Sequence, residues 1–112
     1  MGKHGLGEFE LLVLLAVLRL GEDRAFTLAI VDEIRQRTGR EPQRAAVYVT
    51  LQRLEKKGLV SSWLADPRPE RGGKRRRHVR VEPTGVDAVR TARGALESMW
   101  QGVEAAAPGS GS

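Results

Sequence analysis

Residues 43–60, QRAAVYVTLQRLEKKGLV, are the stretch on which the fold turns. Val47, Leu51 and Leu54 recur at i, i+4 and i+7, which places them on one side of a helix. The opposite side carries Ala45, Tyr48, Val49, Gln52 and Lys56, flanked by Arg44 and Arg53, with no carboxylate before Glu55. The spacing predicts a third helix over Gln43–Lys57, apolar along one stripe and polar and basic along the other, with Gly58 ending it.

Two helices are expected upstream. Gly7–Leu20 holds Phe9 and an unbroken apolar run, Leu11–Leu18, that covers nearly the whole helical circumference. A helix apolar all round must be buried all round. A chain of 112 residues cannot easily cover both sides of it, so a second subunit is the natural cover. Thr27 can cap a second helix running to about Thr38, with Ala29, Ile30 and Ile34 inward and Gly39 as its stop. Pro42 then suits the start of the third helix.

Downstream the texture changes. Leu59–Leu64 and Arg77–Val81 have strand character, and between them Pro67, Pro69 and the Gly72-Gly73 pair mark a loop. The pieces form a β-hairpin with a basic tip. Of the net charge of +5, residues 68–80 hold seven cations against Glu70, so the rest of the chain is nearly neutral. One short basic patch on a neutral body points to a polyanion. Pro83 opens a fourth helix to about Ala106, with Thr84 and Asp87 at capping-box spacing. Its stripe of Val86, Val89, Ala92, Leu96, Trp100 and Val103 extends past what a small hairpin domain can cover. Phe9, Leu12 and Leu15 on the first helix, with Val89, Leu96, Trp100 and Val103 on the fourth, are therefore the candidate dimer contacts.

The order helix, helix, turn, helix, basic hairpin defines the expected fold class: mainly α with a small β-hairpin, a winged helix-turn-helix plus a C-terminal dimerisation helix. The DNA-binding domain spans residues 6–82, the dimerisation helix 83–106 and a flexible tail 107–112. A major groove about 12 Å wide admits one helix. Arginine and glutamine there can bond two atoms of one base edge, whereas Tyr48 and Lys56 suit phosphates. The candidate DNA-facing set is Thr27, Gln43, Arg44, Ala45, Tyr48, Gln52, Arg53 and Lys56, with Arg71, Gly72, Gly73, Lys74, Arg75 and Arg77 from the hairpin. A competing expectation is a winged-helix module that binds protein through its apolar helices and does not read DNA.

Other classes fall away on composition. No cysteine is present, which removes disulfides, thiolate nucleophiles and cysteine-ligated metals. His4 and His78 are too isolated to suggest a metal site, and no cofactor is expected. No Ser/His/Asp set, Walker-type loop or plausible carboxylate pair indicates an enzyme. An apolar run of eight residues is far short of the roughly 20 that span a bilayer. No export signal is evident, so the expected location is the cytoplasm.

The sequence resembles the PadR family of bacterial transcriptional regulators, in particular its short members. The matching stretches are Leu6-Gly7-Glu8-Phe9-Glu10 with the leucine run after it, Ala45–Val60, and Pro69–Arg76. Together they cover about Leu6 to Val103, and Tyr-x-x-Leu-x-Arg-Leu-Glu-x-x-Gly-Leu is a fairly specific pattern. The resemblance implies a homodimer in which the last helix packs on the first helix of its mate, and repression at a palindromic operator. It also implies that Tyr48 sits at the DNA backbone while the wing contacts phosphate. Some family members respond to aromatic or drug-like compounds, which makes Trp100 the candidate to line an effector cavity. Gln43 and Arg44, the His78-Val79 pair and Glu82 depart from the family pattern, differences that bear on the operator and leave the fold intact.

Overall fold

The computed structural model describes residues 5–65 and 76–103. The elements are α1 (Glu8–Leu20), α2 (Thr27–Thr38), α3 (Arg44–Lys56), β1 (Val60–Leu64), β2 (Arg77–Val81) and α4 (Pro83–Trp100). The strands form an antiparallel pair with Val60 opposite Val81, Ser62 opposite Val79 and Trp63 opposite His78. This is the expected winged helix with a long last helix. The basic tip, including Arg71, Gly72, Gly73, Lys74 and Arg75, lies outside the described residues, as does the tail.

The core is one cluster. Val13, Leu14 and Val17 of α1 meet Ile30 and Ile34 of α2, and Val47, Leu51 and Leu54 of α3. Val60 and Val79 close it from the hairpin. Burial of α1 is complete on one side only. Leu15 and Leu18 remain exposed, and Phe9, Leu11 and Leu12 are half-buried, so the described residues do not supply the all-round cover its sequence demands.

Helix starts correct three expectations. Thr27 is the first residue of α2 rather than its cap, and no side chain caps that helix. Phe26 occupies the cap position, held extended because it bridges His78 in antiparallel fashion. The neighbouring Val79 N–H donates to the Ala25 carbonyl at 2.9 Å. The entry to α2 thus serves as a third edge of the hairpin. Pro42 likewise precedes α3 by two residues, and Gln43 is the residue at its cap. Thr84 makes no capping box, because its hydroxyl donates instead to the Gly58 carbonyl at 2.6 Å.

Gly58 is where a left-handed backbone is required. Its φ is +77°, its N–H donates to the Glu55 carbonyl at 3.0 Å, and the Leu59 N–H donates to the Leu54 carbonyl at 3.0 Å. That pair of bonds is a Schellman closure, which satisfies the last carbonyls of α3 and turns the chain directly into β1. Pro83 opens α4 as expected. The helix stops at Trp100 instead of continuing to Ala106, because Gln101 turns extended and Gly102 takes φ +81°.

Candidate nucleic-acid interface

With Val47, Thr50, Leu51 and Leu54 turned into the core, helical geometry leaves Ala45, Val49, Gln52 and Lys56 as the outermost strip of α3. Tyr48 flanks the strip on the hairpin side and Arg53 on the other, and all six are exposed. Among the described residues, no ion pair joins Arg44, Arg53 or Lys56 to a carboxylate. Several cations on other elements are paired: Glu33 pairs with Arg19 at 2.8 Å and Arg37 at 3.3 Å, and Glu8 pairs with Arg40 at 2.9 Å. The hydrogen bond from Arg19 leads the influences that hold the Glu33 carboxyl below its ordinary range. Arg44, Arg53 and Lys56 thus give the exposed side of α3 an excess of positive charge.

A cleft of about 260 Å³ separates α3 from the hairpin. Thr27, Tyr48, Gln52, Glu55, Ser62 and Arg77 line it over an apolar floor of Leu51, Val60 and Val79. Four candidates separated widely in sequence, Thr27, Tyr48, Gln52 and Arg77, are thus brought together. Gln52 Nε2 donates to Tyr48 Oη at 3.4 Å. Arg77 Nη1 donates to Ser62 Oγ at 3.0 Å, and Ser62 Oγ donates to Glu55 Oε1 at 3.0 Å. This relay ties the root of the wing to α3. Gln43, Arg44 and Ala45 are exposed at the entrance of α3.

The opposite side of the hairpin is a clasp of rings and guanidinium groups. Phe26 meets His78 edge-on at 5.6 Å, and Trp63 lies 5.9 Å from His78. Arg76 sits over Phe26 at 4.0 Å and Arg80 over Trp63 at 5.7 Å. His78 is buried, with Nδ1 2.9 Å from the Glu22 carbonyl; since a carbonyl only accepts, Nδ1 carries the proton.

Three contributors were not singled out from sequence. Ser62 could have been found, because strand alternation puts it on the same face as buried Val60. Glu55 breaks the cationic pattern of α3 and periodicity gives it no role, yet it anchors the relay. The bridge between Phe26 and His78 has no local sequence signal.

The candidate dimer contacts divide. Leu96 and Trp100 are 63 % and 57 % exposed, with Met99 beside them at 79 %. Leu15 is exposed, while Phe9, Leu12 and Val103 are half-buried. Val89 is buried in the core of its own chain, where it packs as part of the main cluster. An apolar groove of about 1040 Å³ runs between the start of α1, the α3–β1 turn and α4, lined chiefly by Leu6, Leu11, Leu59, Ala92 and Leu96. Trp100 lies beyond this lining. No described helix is long and apolar enough to cross a membrane.

Comparison with known proteins places this geometry. Residues 14–91 match the transcriptional regulator PadR-like family. A transcriptional regulator from Clostridium thermocellum superposes with a TM-score of 0.69 at 20 % identity, covering 85 % of each chain. A PadR family transcriptional regulator from Eggerthella lenta gives 0.68 at 23 %, covering 88 % of this chain and 82 % of that one. A PadR-like transcriptional regulator from Bacillus cereus gives 0.70 at 13 %, covering 90 % and 92 %. Among curated proteins none matches the chain.

Proposed function

This chain belongs to the PadR-like family of transcriptional regulators, and from that premise we propose that it is a homodimeric, sequence-specific DNA-binding repressor acting at a palindromic operator. The observation that carries the reading is the exposed face of α3, whose cations join no ion pair among the described residues, beside a cleft that gathers Tyr48, Gln52 and Arg77. In this reading α3 enters the major groove with Gln52 and Arg44 on base edges. Tyr48, Arg53, Lys56 and Thr27 contact backbone, and Arg77 with the tip residues Arg71–Arg75 follows the flanking phosphates. Two such helices in successive grooves require half-sites about 34–36 Å apart.

The second copy is supported by the exposed Leu96, Met99 and Trp100 and by the half-open flank of α1. An aromatic effector held between subunits near Trp100 belongs to the same reading, since that ring is exposed at the end of α4. A gel-shift titration across salt, with the promoter region of the chain's own gene and a scrambled duplex, tests the proposal. Preferential retention of the promoter duplex, with affinity falling steeply as salt rises, is expected. Equal affinity for both duplexes removes sequence-specific repression, and no binding at low salt removes the DNA-binding reading.

A further inference from the structure

We propose that Val49 reads the C5-methyl group of a thymine in the major groove, next to an adenine contacted by Gln52. Each half-site then holds two adjacent A·T pairs beneath the middle of α3. The inference rests on the DNA-binding reading and adds to it a specificity residue and a base class.

Val49 is 47 % exposed, although it is β-branched and apolar and stands on the outermost strip of α3 between Tyr48, Gln52 and Arg53. It takes no part in the core: Val47, Leu51 and Leu54 supply the buried stripe of α3. Nor does local preference explain it, because a β-branched side chain is a weaker helix former than the straight-chain residues around it. An exposed apolar side chain at the middle of a groove-facing strip is suited to an apolar partner in the groove. Thymine presents the one methyl group among the four bases on that groove edge. Ala45, one turn before Val49, widens the same apolar spot.

Gln52 supplies the neighbouring contact. A glutamine amide matches the N6 donor and N7 acceptor of adenine. The Tyr48 hydroxyl accepts from Gln52 Nε2 at 3.4 Å and so restrains where the amide lies. Three residues of helix advance about 4.5 Å along the axis. That is comparable to the roughly 3.4 Å rise per base. Val49 and Gln52 are thus spaced to meet consecutive base pairs, while Arg53 and Lys56 remain for phosphate.

The test begins with the full-length chain and a pool of random duplexes, from which bound sequences are enriched. Each recurrent thymine is then replaced by uracil, which removes the methyl group alone. At one thymine per half-site, uracil should weaken binding about fourfold, the value of burying one methyl-sized group. Val49→Ala should bind the thymine duplex several-fold more weakly and no longer distinguish thymine from uracil. The variant sits outside the core and improves helix propensity, so an unchanged thermal melt is expected of it. Indifference of the wild-type chain to uracil at every position overturns the proposal, as does a uracil penalty that survives in Val49→Ala. Enrichment of sites without adjacent A·T pairs overturns it while leaving DNA binding standing. Retention of no duplex at all overturns the DNA-binding reading beneath it.

Discussion

Lys57 Nζ donates to Glu10 Oε2 at 2.9 Å, joining the first turn of α1 to the end of α3 across 47 residues of chain. The other oxygen of the same carboxylate accepts the Gly7 N–H at 3.0 Å. One side chain, only 8 % exposed, therefore caps one helix and anchors another. Glu10→Gln weakens both bonds, and a loss of about 1.5–3 kcal/mol is expected, the range for hydrogen bonds to charged groups. Urea unfolding of the two proteins at neutral pH measures it.

The same carboxyl gives stability a pH dependence. Burial pushes its pKa up, but the hydrogen bonds from Lys57 and Gly7, with the nearby charges of Lys57 and Arg53, together bring it below its ordinary value of 4.5. A depressed folded pKa stabilises the protein fully above the unfolded value and less as the pH falls through the folded one. The stability gap between wild type and Glu10→Gln should hold at pH 6–7 and shrink below pH 4.5. Unfolding curves collected down to pH 3 follow it, and a gap that widens toward acid contradicts the assignment.

Ser62 is the middle of the relay from Arg77 to Glu55. Ser62→Ala cuts both bonds and removes little packing. The expected result is a loss of about three- to tenfold in operator affinity, with unfolding stability changed by less than about 1 kcal/mol, because both charged partners are solvent-exposed. Fluorescence anisotropy with an operator duplex, paired with thermal melts, separates the two effects.

Two glycines on α4 should respond oppositely to alanine. A Cβ on Gly85 would collide with the Leu59 carbonyl oxygen and lie 2.6 Å from Val81 Cγ1, whereas one on Gly94 meets nothing within 4 Å. Gly85→Ala forces α4 away from the start of β1, at an expected cost of about 2–3 kcal/mol. Gly94→Ala should gain about 0.5–1 kcal/mol from lower backbone entropy in the unfolded chain. Calorimetry of the two variants reports both signs.

Self-association should reside on α4. Trp100→Asp and Leu96→Asp place a charge on exposed apolar positions, which leaves the chain's own core untouched. Sedimentation is expected to show a wild-type dimer at micromolar concentration and a monomer for either variant. Val89→Asp should instead unfold the subunit, because that side chain is buried within it.

The helices were legible because apolar spacing survives folding unchanged: Val47, Leu51 and Leu54 are buried as their period requires. The hairpin followed from alternation around Val60 and Val79. Termini were less legible, because distant partners decided them. Thr84 has the chemistry of a cap but bonds Gly58, 26 residues away, and Phe26 displaced Thr27 because His78 holds it extended. At the site, the outward face of α3 was readable from periodicity. The relay through Ser62 was not, since it depends on how the hairpin docks against α3.

The clasp of Phe26, His78 and Trp63 with Arg76 and Arg80 grips the paired strands near the end that leads into residues 66–75. Extending a loop costs only about 0.6 kcal/mol for each doubling of its length. Insertions or wholesale exchange beyond the clasp should therefore leave the body folded and α3 in place. The finger's reach becomes a parameter that engineering can vary separately from the choice of base sequence.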